Sequence, residues 1–293
     1  MKKILKICIL LGLFLGGLTS HLQAQDTEID TTSLHGNKAI LHPHPGAPDP
    51  DHNLATAAAN PLANMISLPI QNNFNFNYGP NEKFQYNVNL QPVLPYRLNK
   101  NMNMINRVII PISVNPAGSG DAVAGIGNTT WSMWVVPKPI DISKGWNLTW
   151  GAGPALSIPT ASHPELGGGP FGIGATALAV FGSKQIVGGF LIGFLDSYIN
   201  DDLSSIFSQY FITWNIKKGW FINTSPNISG NLNAPDGEKW IFPVGIGGGK
   251  VTTLGNQPLK WQVSYYHNLT TPDVFWDNSI QFVLTLMFPK KAK

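Results

Sequence analysis

Alternation with a period of two, repeated along most of the chain, is the feature that most restricts its fold. The last segment, residues 279–288, shows it best. Ile280, Phe282, Leu284, Leu286 and Phe288 occupy even positions, and Ser279, Gln281 and Thr285 occupy odd ones. Successive side chains of a strand point to opposite faces, so one face is continuously apolar and the other mixed. A helix would scatter the same residues around its circumference. Pro289 closes the segment, because it has no N–H to extend a ladder.

The same unit recurs from Met65 onward: an alternating run, then a break of Gly, Pro, Asn or Asp. The spacing predicts twelve strands over 65–77, 84–94, 102–113, 128–136, 146–158, 171–181, 185–195, 204–216, 220–228, 240–250, 259–266 and 279–288. In the first, Ile66, Leu68, Ile70, Phe74 and Phe76 oppose Ser67, Gln71, Asn73, Asn75 and Asn77. The fifth sets Trp146, Leu148, Trp150, Leu156 and Ile158 against Asn147, Thr149 and Ser157. Segments 171–181 and 185–195 are ambiguous, with apolar residues or glycine on both faces. Segments of about ten residues with dyad alternation are the signature of a transmembrane β-barrel. The expected fold is therefore all-β, an antiparallel up-and-down barrel of about twelve strands, with the last strand pairing the first.

A soluble all-β domain is the competing reading. Trp146, Trp220, Trp240 and Trp261 fall near strand ends, where interfacial girdles place amphipathic rings. The polar faces are rich in amides and hydroxyls, as a wet interior requires. Acidic residues gather in alternate breaks (Glu82, Asp121, Glu165, Asp196, Asp236, Glu238, Asp273, Asp277), expected to be outer loops. Basic ones (Arg97, Lys100, Lys138, Lys144, Lys184, Lys217, Lys218) gather in the mostly shorter ones between, expected to be periplasmic turns, with Asp141, Lys83 and Lys239 as exceptions.

Residues 1–24 have a basic start, an apolar run and a small residue at Ala24, the pattern of a secretory signal peptide. The outer membrane is the expected destination. Cys8, the one cysteine, lies inside that signal, so disulfides, thiol catalysis and cysteine metal sites are excluded from the mature chain. Residues 25–60 carry four prolines and four histidines in 35–52 and little periodicity, and are expected to form a disordered leader. His42-Pro43-His44 is read as part of that tether, and no metal site is expected. Residues 54–64 are Ala-rich and suit a short helix, in the lumen or on the periplasmic face. The barrel is expected over 61–293.

No catalytic or cofactor motif is present. Residues 245–250 are Gly-Ile-Gly-Gly-Gly-Lys, but Val251 stands where a phosphate loop needs Ser or Thr. His267 and Ser264 differ in parity and so face opposite ways, and His163 is in a loop. Enzymatic function is not expected, and no cofactor. No basic cluster is dense enough for nucleic acid.

Arg107 is the residue to single out. It lies mid-strand opposite Met104, Val108 and Ile110. A charge facing lipid at mid-membrane costs about 2–4 kcal/mol, so it is expected to face inward. Asn75, Asn87, Asn89, Gln91 and Gln281 share the inward parity and complete the lumen candidates.

The chain also resembles bacterial outer-membrane proteins of a transporter-like family, the phenol-degradation MetA-pathway type, some of which carry the mistaken label neuromedin U. Asn60-Pro61-Leu62-Ala63, Ile66-Ser67-Leu68-Pro69-Ile70-Gln71-Asn72-Asn73, Asn89-Leu90-Gln91-Pro92-Val93-Leu94-Pro95, Asn106-Arg107-Val108-Ile109-Ile110-Pro111-Ile112 and Phe288-Pro289-Lys290 carry the resemblance. It implies a monomeric barrel taking up small hydrophobic or aromatic molecules, and no catalytic residues. The expected function is passage of a small solute through a barrel seated in outer-membrane lipid. Two alternatives stay open: a closed structural or adhesive barrel with 54–64 in its lumen, and a lipid-acting barrel enzyme.

Overall fold

The computed structural model describes residues 50–116, 121–167, 169–197 and 203–289. The expected signal peptide, most of the leader with His35, His42 and His44, and the lysine tail lie outside these residues. The first described element is helix α1 (Pro50–Ala59). Strands then follow in chain order: β1 (Met65–Tyr78), β2 (Lys83–Leu90), β3 (Val93–Arg97), β4 (Met102–Asn115), β5 (Val123–Ile126), β6 (Thr129–Pro137), β7 (Ile140–Ser143) and β8 (Trp146–Ile158). The second half comprises β9 (Gly172–Gly182), β10 (Ile186–Asp196), β11 (Ser204–Asn215), β12 (Trp220–Thr224), β13 (Asn227–Asn231), β14 (Trp240–Leu254), β15 (Gln257–Thr270) and β16 (Asn278–Pro289).

All pairings are antiparallel and the sheet closes on itself. β2 with β3, β5 with β6 and β7, and β12 with β13 are pieces of single staves, which leaves twelve staves in the wall. Closure is made by β1 and β16 in continuous register from Met65↔Pro289 through Asn73↔Gln281 to Phe76↔Asn278. A closed barrel leaves no strand edge with unpaired N–H and C=O groups.

The two faces sort as the alternation predicts. Phe84, Trp150, Phe190, Ile212, Val263 and Ile280 are exposed on the outside, Ile212 at 54%. Asn73, Asn75, Gln85, Ser264 and Gln281 are buried inside, Asn75 at 2%. An outward apolar belt around a closed barrel is the arrangement of an outer-membrane protein, which meets lipid with its outer face. The outer face carries its girdle too: Trp220 stacks edge-on against Trp261 at 5.6 Å, with Lys250 Nζ 5.4 Å from the Trp220 ring.

One end has short connections, such as 183–185 and 255–256; the other has longer ones, such as 159–171 and 232–239. Short periplasmic turns and long outer loops are the rule for such barrels, which puts α1 and both termini of the barrel at the periplasmic end.

α1 lies within the last part of the segment expected as a disordered leader, and folds because barrel walls give its alanines something to pack on. Ala55 is buried with Met65, Phe221, Val251 and Met287. Ala59 and Leu62 belong to a second cluster with Ile105, Trp134, Val136, Leu178 and Phe211. Thr56 ties the helix to the periplasmic turns: its hydroxyl donates to the Lys184 carbonyl at 3.2 Å and accepts from Asn215 Nδ2 at 3.4 Å.

Candidate functional site

The lumen has two unlike walls. One is built by β1, β2, β4 and β16: β1 and β2 carry amides at successive inward positions (Gln71, Asn73, Asn75; Gln85, Asn87, Asn89), and β4 and β16 add Ser113, Asn115 and Gln281. Neighbouring strands set these amides side by side, and they bond along the wall. Gln91 Nε2 donates to Gln71 Oε1 at 2.9 Å, and Gln71 Nε2 to Asn73 Oδ1 at 3.0 Å. Asn73 Nδ2 donates to Asn87 Oδ1 at 2.9 Å, and Asn87 Nδ2 to Ser113 Oγ at 2.8 Å. Gln281 Nε2 joins from β16 by donating to Asn73 Oδ1 at 3.1 Å. A parallel chain nearer the outer rim links Asn75, Gln85 and Asn115, and Asn115 donates to the Glu165 carbonyl of an outer loop.

The other wall is apolar. Leu178 and Val180 of β9 and Val187, Leu191 and Leu195 of β10 point inward and are buried. This settles the two ambiguous strands: Ile173, Phe181, Phe190, Ile192 and Phe194 take the lipid side. Both faces are greasy because one meets lipid and the other packs inside. Trp134 is likewise inward and 1% exposed. The expectation of an amide-rich interior therefore holds for only part of the circumference.

Glycines keep the apolar wall thin. Phe207 and Phe211 of β11 point inward and lie flat over Gly193 and Gly189 of β10, so closely that a Cβ at either glycine would collide with the ring. Gly249 gives Phe221 the same room on β14. The glycine-rich run 245–250 is a strand whose missing side chains clear space in the lumen.

Arg107 sits where the two walls meet. It is inward on β4, opposite Val93 on one side and Ser132 on the other. Its Cζ lies 5.5 Å from the centroid of the Trp134 ring. Among the described residues no carboxylate lies within salt-bridge reach of it, and the ion pair of Lys239 with Asp236 is in an outer loop. Trp134 Nε1 is also buried without a hydrogen-bond partner. Just below, toward the periplasm, Ile105 and Trp134 pack in the cluster that holds Ala59 and Leu62.

Two adjoining cavities occupy the lumen. One of about 290 Å³ follows the amide wall past Asn75, Asn87, Asn89 and Gln281. The larger, about 710 Å³, begins among the outer-loop residues Pro235, Glu238, Pro272 and Val274 and descends to Gln91 and Arg107, with Leu191, Leu195 and Phe207 across from them. Every sequence-derived candidate thus lines one cavity or the other.

Lys260 is a second inward cation, absent from those candidates. Its Nζ lies 4.8 Å from the Phe221 ring centroid, beside the helix end of the lumen. The signal was available: Lys260 shares parity with Gln262 and Ser264. Ser264 is inward at 2% exposure while His267 is on the outside, bonded to Asn278. The barrel wall therefore stands between this Ser and this His.

No protein-family model and no curated protein sequence matches the chain. The resemblance to the MetA-pathway family rests on its motifs. Among solved structures, the chain is similar to the COG4313 outer membrane channel from Pseudomonas putida, at 12% identity and a TM-score of 0.57 over 77% of this chain and 95% of that one. More distant are the NanC porin (8% identity, TM-score 0.44, 76% and 100% covered) and the outer membrane phospholipase of Salmonella typhi (11%, 0.42, 78% and 91%). At these identities the likeness extends to the barrel fold alone.

Proposed function

We propose that the chain is an outer-membrane channel for small solutes, acting as a monomer. The observation that carries this reading is the cavity of about 710 Å³ that enters between the outer loops and reaches Arg107 at depth. Its volume falls in the range of pockets that hold small organic molecules. The apolar side formed by Leu191, Leu195 and Phe207 supports a solute with hydrophobic surface, in keeping with the family that the motifs resemble. Lipid is the partner of the outer belt, and the closed wall supports a single-chain pore, since no strand edge is left to pair.

A second reading is favoured by α1. A helix lodged on Phe221, Val251 and Met287 at the periplasmic end also suits a barrel that stays shut and serves a structural or adhesive role. The two differ in what happens on removing the helix. In planar bilayers, a channel conducts, and deletion of residues 50–62 raises its conductance. Absence of current and of solute entry into liposomes, from both the full chain and the deletion, would reject the channel reading in favour of the closed barrel.

A further inference from the structure

We infer that the larger cavity is a binding site for a small organic carboxylate with an apolar body, its carboxylate on Arg107 and its body against Leu191, Leu195 and Phe207. This names a substrate class for the channel and rests on that reading.

A guanidinium carries five N–H groups and accepts nothing. Arg107 has the Trp134 ring 5.5 Å from its Cζ, a contact that satisfies none of its donors. The amides on the neighbouring staves do not bond it: Gln91 and Gln71 bond to each other, and Gln71 to Asn73. The floor of the cavity therefore has a surplus of donors and a fixed positive charge, and no acidic side chain within salt-bridge reach among the described residues.

A planar carboxylate matches that fork bidentately, and a charge-assisted pair is stronger than a neutral one. The remainder of the cavity then selects the body. Directly across are aliphatic and aromatic side chains, and glycines at 189 and 193 hold the Phe rings flat so that the space stays clear. A fully polar anion would leave that surface wetted. A neutral hydrocarbon would cover it but leave the guanidinium without a partner.

The test is equilibrium binding to the full chain in detergent micelles, using benzoate, benzamide and acetate as probes. Benzoate is expected to bind about tenfold or more tightly than benzamide, the worth of one charge-assisted bond. It is expected to bind more tightly than acetate by about tenfold or more as well, from the ring area buried. Arg107→Gln should erase the preference for benzoate over benzamide, and Arg107→Lys should keep part of it. Equal binding of benzoate and benzamide by the unaltered chain overturns the proposal, whatever the variants do. So does an Arg107→Gln chain that keeps the preference, or acetate binding as well as benzoate. Binding in micelles needs no passage, so the two readings fail separately. Benzoate bound at Arg107 by a barrel that passes no current argues against the channel and for the site.

Discussion

Asn73 holds more of the lumen together than any other side chain of the amide wall. Its Oδ1 accepts from Gln71 and Gln281 and its Nδ2 donates to Asn87, so it joins β1 to the strands on both sides. Asn73→Leu would leave two amide donors without their acceptor. The expected cost is about 1–2 kcal/mol, at the lower part of the range for a buried unsatisfied group because the cavity admits water. The midpoint of denaturant unfolding in micelles measures it. Arg107 should behave differently. Its contact with Trp134 is worth about 0.5–2 kcal/mol, so Arg107→Ala is expected to change ion selectivity more than unfolding. Reversal potential under a salt gradient reads the first, and an unaltered potential with lowered stability would show the residue to be structural. The candidates Arg107, Asn75, Asn87, Asn89, Gln91 and Gln281 were legible in the sequence because parity alone sends a side chain in or out. Which amides bond to which was not, since that depends on strand register. Trp134 and Lys260 escaped notice because an inward aromatic or a cation near a strand end looks ordinary until the opposite wall is known.

Among the elements, α1 and the β10–β11 pair decide how open the lumen is. α1 buries two alanines, Ala55 and Ala59, with Leu62 buried just beyond its end, an apolar payload of only a few kcal/mol at about 25 cal/mol per Å². A helix held that weakly is suited to move. Deleting 50–62 should therefore raise conductance while changing the unfolding midpoint little. Gly193→Val is the opposite experiment. The new side chain displaces the Phe207 ring from the wall into the cavity, and single-channel conductance should fall with no loss of barrel assembly. An unchanged conductance would mean that the path avoids Phe207. The helix was only half legible. An Ala-rich run is compatible with one, but its docking site is assembled from Phe221, Val251 and Met287, three strands far away in the chain. Strands β9 and β10 were visible as strands yet not orientable, because greasy residues on both faces cancel the alternation.

At the scale of the whole molecule, twelve staves, a sealed seam and an apolar belt make a transmembrane barrel. Ile212, on the outer face of β11 and 54% exposed, is a fair probe of the belt. Ile212→Arg should destabilise the barrel in lipid by about 2–4 kcal/mol, whereas the lumenal Thr213→Arg on the next position should not suffer that lipid penalty. Equal losses would mean that the outer face is not in lipid. The belt and the seam were readable from period and count, because each repeats around the circumference and errors at one strand are outvoted by the rest. The interior was harder, because its two walls differ and no repeat announces the change. Single-channel recording of the full chain in a planar bilayer tests the central claim most directly. Discrete current steps that grow when residues 50–62 are removed and shrink with Gly193→Val are the predicted result. A silent bilayer with the full chain and with the deletion alike would contradict it.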